Sequence, residues 1–86
     1  MFIGNAMKYY RIIDNNYTEY SEYAKKDKNY VTDYSKGYIK KEGTYSEDFA
    51  DAFSEYFTNN SRLKRRHKYR YEYLNYLCIY NKFYIN

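Results

Sequence analysis

The clearest pattern of apolar and polar positions lies in the stretch EDFADAFSEYF, residues 47–57. Its apolar residues recur at i, i+3, i+4, i+7 and i+8, counted from the first phenylalanine. This spacing lines them up along one side of an α-helix, so the pattern predicts an amphipathic helix over residues 46–58. The charged residues Glu47, Asp48 and Glu55 fall near or outside the edges of this apolar stripe.

A second helix is predicted nearer the N-terminus, over the sequence EYSEYAKKDK. Thr18 precedes it as an N-cap residue, its acidic residues come early, and its lysines come late, which suits the helix dipole. Tyr20, Tyr23 and Ala24 then form its inner face, because they fall at helical spacing.

Two more helical segments follow the central helix. Asn59 or Asn60 is expected to end that helix in a left-handed conformation, and Ser61 is expected to cap the next one. The basic run RLKRRHK, residues 62–68, is predicted to form a short helical turn. A final helix is predicted from aromatic and aliphatic residues at helical spacing, namely Tyr69, Tyr73, Tyr76, Leu77 and Tyr80.

The helical pattern fails over residues 29–43, where β-branched and aromatic residues alternate with two glycines, so we predict an extended segment. Residues 4–13 fit either the end of a helix or a short strand, and 14–18 read as a turn. The tail, residues 81–86, is expected to be irregular or strand-like. The predicted fold class is mainly α, with three to four short helices and an extended segment.

Length and composition limit the other possibilities. A chain of 86 residues forms one domain at most. No apolar run is long enough to span a membrane. The opening residues are not expected to be a signal peptide, because Lys8 and Arg11 follow its apolar residues. Cys78 is the only cysteine, which excludes an internal disulfide and favours a small buried side chain.

Glu47 and Asp51 are four residues apart, so both project from one face of the predicted helix about one turn apart. Such a pair suits a zinc site in which one carboxylate binds the metal and the other orients a metal-bound histidine. The sequence also fits a capping box, in which Thr44 is the N-cap and Glu47 reaches back to its amide. Pattern alone favours capping or simple solvation of these carboxylates.

The run RLKRRHKYRYEY combines basic and aromatic residues, as proteins that follow a phosphate backbone do. A helix with a solvated basic face gives the same pattern, Glu72 interrupts it, and a net charge of +4 is low for a dedicated nucleic-acid binder. His67, the only histidine, is expected to be exposed. The cations that would carry such binding are Arg62, Lys64, Arg65, Arg66 and Arg70.

The order EDFADAFSEYF, then NNSRLKRRHKYRYEYL, resembles the C-terminal end of the anthrax lethal factor-type zinc metallopeptidase catalytic domain. In that family a glutamate-bearing helix is followed by a Leu-Lys turn and a Tyr-rich final helix. Leu63 and Lys64 match the turn, and Tyr71, Tyr73 and Leu74 match the last helix. The resemblance extends loosely over residues 18–77 and is strongest over 45–77.

This resemblance implies roles for individual residues. Glu47 corresponds to the third zinc ligand, and Asp51 corresponds to the carboxylate that orients a zinc-binding histidine. Tyr38 is the candidate for the tyrosine that stabilises the oxyanion, with Tyr45 as the less favoured choice. The family's cofactor is zinc, its substrates are peptides or proteins, and its members are secreted, so an extracellular location is implied.

The chain departs from the family where the other zinc ligands are expected. It has no His-Glu-x-x-His motif, and Asp48 stands where the family has an aromatic residue. Three protein ligands are the usual requirement for catalytic zinc. We therefore expect a truncated or C-terminal fragment, with an incomplete zinc site and no activity alone, whose partner is an upstream-encoded segment. The alternative is a small basic, Tyr-rich helical module that binds nucleic acid or protein.

Overall fold

A computed structural model describes residues 17–79 of the chain, with side chains through residue 77. All regular structure in this range is helical, which confirms the mainly-α fold class. The expectations for residues 4–13, for most of the turn 14–18, for the tail and for the Cys78 side chain lie outside what is described. The helices are α1 (Thr18–Asp27), α2 (Asp33–Glu42), α3 (Ser46–Thr58), α4 (Asn60–Arg66) and α5 (Lys68–Ile79).

Helix α2 occupies much of the segment 29–43, for which an extended conformation was expected, and that expectation is wrong. The helix begins with a capping box, because the Thr32 hydroxyl accepts from the Ser35 amide and the Ser35 hydroxyl accepts from the Thr32 amide. It ends at Gly43, whose φ of 75° is readily adopted by glycine. These two end signals outweigh the β-branched and aromatic residues between them.

Helix α3 has the predicted bounds, Ser46–Thr58. Its N-terminus does not have the capping box considered for Thr44 and Glu47. Tyr45 is the N-cap residue without a side-chain cap, and the Thr44 hydroxyl accepts instead from the Ser46 amide at 3.2 Å. Glu47 is therefore left available for other contacts.

Two further caps differ from expectation. Asn59 is not left-handed, and its side chain caps α4 by accepting from the Arg62 amide at 3.4 Å, the role expected of Ser61. Thr18 is the first residue of α1 rather than its cap, and Tyr17 precedes it with a left-handed φ of 56°. The helix over 60–66 confirms the predicted short basic turn.

The core forms where α1, α3 and α5 face one another, with α2 and α4 packed at its sides. Tyr20 on α1 lies at its centre, its ring 5.1 Å from that of Phe49 and 5.8 Å from that of Tyr73. The predicted inner face of α1 is confirmed for Tyr20 and Ala24, which are fully buried. None of the described helices is long and apolar enough to cross a bilayer. The buried hydrophobic residues are Tyr17, Tyr20, Ala24, Phe49, Ala52, Phe53, Leu63, Tyr73, Leu74 and Leu77.

Candidate functional site

Glu47 and Asp51 lie on the flank of α3, beside the stripe that buries Phe49 and Phe53. Both carboxylates are half-buried. Glu47 makes no hydrogen bond or salt bridge to any described residue, so its carboxylate keeps its capacity to accept donors or bind a cation. Glu55 follows one turn after Asp51 and continues the row, with one oxygen 3.8 Å from the Arg62 guanidinium.

The Asp51 side chain is hydrogen-bonded to the start of α2. Its carboxylate accepts a hydrogen bond of 2.8 Å from the Thr32 hydroxyl, which also takes part in the capping box of that helix. Burial raises the pKa of the Asp51 carboxyl, and the charge of Asp48 adds to this, while the Thr32 hydrogen bond opposes it. Asp51 is thus oriented by a neighbouring helix, and burial makes its carboxyl hold a proton more tightly than a surface carboxyl does.

Tyr38 lies in α2, half-buried, with its ring 6.3 Å from that of the exposed Tyr34. No hydrogen bond joins it to Glu47 or Asp51 in the described part of the chain. Tyr45, the other candidate, packs edge-on against Tyr20 at 6.4 Å. Burial raises the pKa of its phenol.

Asp48, which the sequence places near or outside the edge of the apolar stripe of α3, is fully buried. One of its oxygens accepts from the Val31 amide at 3.3 Å and the Ser35 hydroxyl at 3.1 Å. The other accepts from the Tyr20 hydroxyl at 2.5 Å and the Arg70 Nε at 2.7 Å. A buried carboxylate requires this degree of pairing, because unpaired burial is very costly.

Arg70 is also fully buried, which removes it from the exposed basic surface that the sequence suggested. Its guanidinium is the hub of the network. Nη1 donates to Asp27 at 3.0 Å and to the Asn29 side chain at 2.9 Å, and Nη2 donates to the Asn29 carbonyl at 2.8 Å. With the Asp48 contacts, every nitrogen of the fork has a partner, as the planar geometry of arginine permits.

His67 is 3% exposed, so the expectation of a surface histidine is wrong. Its Nδ1 lies 2.9 Å from the Asn29 side-chain oxygen, which also accepts from Arg70. Burial, followed by the charge of Arg70, lowers the pKa of the imidazole. His67 is therefore a buried member of the network, and its surroundings disfavour the charged imidazolium.

The sequence contains a signal for this network, which is missed when Asp48 is placed near or outside the edge of the apolar stripe. Asp48 is four residues before Ala52, and Arg70 is three before Tyr73 and four before Leu74, so both occupy inward positions. A charged residue at an inward position is costly unless it is paired. Two of opposite sign on two helices indicate a buried ion pair.

The donor set for zinc is not complete among the described residues. No three His, Cys, Asp or Glu side chains there are grouped so that they could hold a metal ion. Glu47 therefore fits only as a single oxygen ligand within the described range. Catalytic zinc needs three protein ligands, so the others would have to come from another segment.

The arrangement therefore offers one uncommitted carboxylate, one oriented carboxylate and a buried ion network that holds their helix in place. Comparison with known proteins adds no assignment: no protein-family model, no curated protein and no solved structure matches this chain.

Proposed function

We propose that this chain is the C-terminal part of a lethal factor-type zinc metallopeptidase catalytic domain. In this proposal Glu47 is the third zinc ligand, Asp51 orients a histidine of another segment, and Tyr38 donates to the oxyanion. The observation that carries the proposal is the state of Glu47. It is half-buried on a well-packed helix, yet none of the described residues is hydrogen-bonded to its carboxylate.

The order and burial of the elements support the same proposal. A glutamate helix, a short turn and a final helix follow one another as α3, α4 and α5. In the turn, Leu63 is buried and Lys64 is exposed. In the last helix, Tyr73 and Leu74 are buried. These positions carry the resemblance, and the three apolar ones among them pack in the core.

Asp51 has the properties that its proposed role needs. Thr32 fixes its orientation from one side, and its remaining oxygen can accept the N–H of an imidazole. Zinc, when bound, would lower the pKa of a coordinated water and polarise a peptide carbonyl. The two imidazoles and the base must come from a segment outside this sequence. The substrate class is peptide or protein, and the location extracellular, as the resemblance implies.

The DNA upstream of the Met1 codon provides the first test. A His-Glu-x-x-His helix encoded there, in this frame or a shifted one, is the expected result. Unrelated sequence would contradict the proposal.

The second test is zinc stoichiometry after dialysis. The 86-residue chain alone should retain no stoichiometric zinc, and the chain joined to the upstream segment should retain one ion. Glu47→Gln in the joined chain should remove that ion. Glu42→Gln, an exposed glutamate of α2, is the matched control and should leave it in place. Equal retention in both variants would exclude Glu47 as a ligand.

A further inference from the structure

The end of α1, the end of α4 and the start of α5 meet at one corner of the molecule. The Asn29 side chain donates to the Arg66 carbonyl at 2.9 Å, which joins the first two. Asp27 accepts from the backbone amides of Tyr69 at 2.8 Å and Arg70 at 3.1 Å, which joins the third. Segments about forty residues apart in the sequence therefore form one continuous surface.

This surface, called here the basic corner, is formed by six exposed cations. None of the six forms a salt bridge to a described residue. The acidic residue among them, Asp27, has a side chain that is 3% exposed and is already paired with Arg70 at 3.0 Å. The exposed Glu22 and Glu72 lie one helical turn from Lys26 and Lys68, but neither forms a salt bridge with them. The basic corner consists of Lys25, Lys26, Lys28, Arg65, Arg66 and Lys68.

Two of these ammonium groups share one aromatic ring. The Lys26 Nζ lies 5.8 Å from the centre of the Tyr69 ring, and the Lys68 Nζ lies 5.7 Å from the same centre. Lys26 also lies 5.2 Å from the Tyr23 ring. Cation–π contacts with the Tyr69 ring therefore keep both ammonium groups near the start of α5.

A cavity beside these residues is lined by donors. It has a volume of about 240 Å³, and its lining consists of Lys25, Lys28, Asn29, Tyr30 and Tyr45. The Lys25 Nζ lies 5.9 Å from the Tyr45 ring. Two ammonium groups and two phenols are a donor set suited to phosphate oxygens, whereas the Asn29 amide already donates to Arg66.

We propose that the basic corner binds the phosphate backbone of a nucleic acid without reading its bases. Its cations are spread over three helix ends, as a polyanion requires. The lysines lie over the Tyr69 ring, so that ring is not offered for base stacking. A membrane surface is a less suitable partner. Insertion into a bilayer needs exposed apolar side chains, and the large exposed hydrophobic residues in the described range, Tyr34 and Tyr76, are not part of the basic corner.

The local positive charge of the basic corner is not evident from the sequence, because the lysines of residues 25–28 and the basic run of 62–68 are far apart along the chain. The net charge of +4 is an average over the whole chain, whereas the fold brings six cations together. The proposal is independent of the metallopeptidase proposal, since it uses neither Glu47 nor Asp51.

Fluorescence anisotropy with a labelled thymidine oligonucleotide of about 16 nucleotides tests the proposal. Six phosphate contacts predict that log K falls with log salt with a slope of about −4. Lys26→Gln/Lys68→Gln should weaken binding at least about tenfold at low salt and reduce the slope by about 1.4. Lys40→Gln/Lys41→Gln on α2 removes the same charge from exposed positions and should change affinity less than about twofold.

Circular dichroism of each variant establishes that the fold is retained. An absence of binding by the wild-type chain at about 50 mM salt overturns the proposal. An equal loss in the two double variants also overturns it, because net charge alone would then explain binding. Tighter binding to phosphatidylserine vesicles or to polyglutamate identifies a different class of partner and overturns it as well.

Discussion

Replacing Arg70 by methionine should test the buried network most directly. The guanidinium is 2.7 Å from Asp48 and 3.0 Å from Asp27, and the two carboxylates have side chains that are 0% and 3% exposed. Methionine fills most of the volume but supplies no donor. Both carboxylates would then be buried without their cation, and Tyr20 and Asn29 would lose a partner each.

The size of the effect follows from that burial. Removing one partner of a buried ion pair costs about 3–5 kcal/mol, because the remaining charge stays desolvated. Small domains have total free energies of unfolding of about 5–15 kcal/mol, so Arg70→Met should remove a large fraction of the stability. Arg62→Met is the matched control. Its side chain is 46% exposed and its guanidinium is 3.8 Å from the 14% exposed Glu55, so we expect a smaller loss than for the fully buried Arg70.

Urea denaturation followed by far-ultraviolet circular dichroism measures both variants. Asp48→Asn and the double variant Asp48→Asn/Arg70→Met complete a cycle for the pair. The double variant should be more stable than the sum of the two single losses predicts, because each single loss includes the same unpaired burial. Additive losses, or a loss in Arg70→Met as small as that in Arg62→Met, would refute the reasoning.

Three further predictions concern local features. Burial holds the pKa of His67 below its usual 6.5, so the neutral imidazole stabilises the fold fully above pH 6.5, and this stabilisation is lost as the pH falls below that value. Urea denaturation at several pH values from about 8 to 5 should show the loss. An equal decrease in the free energy of unfolding in His67→Gln would contradict it. Gly43→Ala should lower the free energy of unfolding by about 1–2 kcal/mol, because φ is 75° there. Gly37→Ala lies within α2, where an added Cβ meets no atom within 4 Å, so it should raise the free energy of unfolding by about 0.5–1 kcal/mol. A higher melting temperature for Gly43→Ala than for Gly37→Ala would contradict both glycine predictions. Leu63→Ala should cost about 2–5 kcal/mol in the same melts, because the side chain is fully buried, and a loss below that range would mean that α4 does not pack as described.

The sequence predicts the bounds of α3 well because its apolar stripe is continuous, although neither cap expected at its ends is formed. Its apolar stripe has helical spacing, and the helix observed has the predicted bounds. The sequence fails for α2 because local signals conflict. Tyrosines and Gly37 weaken the helical pattern, while Thr32, Ser35 and Gly43 supply its caps. Packing of α2 against α3 adds a nonlocal term that a local pattern does not contain.

For the candidate site, the sequence predicts only which residues lie on the same face of one helix. The sequence places Glu47 and Asp51 one turn apart, but the partner of Asp51 is Thr32, nineteen residues away. The basic corner depends in the same way on Asn29 reaching Arg66, thirty-seven residues away. Such contacts depend on how helices are arranged, which the order of residues along one helix does not reveal.

The adjacent residues Glu47 and Asp48 illustrate how the buried network can control a site that it does not enter. Neighbours on an α-helix point about 100° apart, so fixing the direction of one fixes the other. Asp48 is held by donors from α1, the segment before α2, α2 itself and α5. Rotation of α3 about its axis would break all of these contacts at once. The Glu47 side chain has no partner of its own among the described residues. The contacts of Asp48 therefore set, through the backbone, the direction in which Glu47 leaves α3.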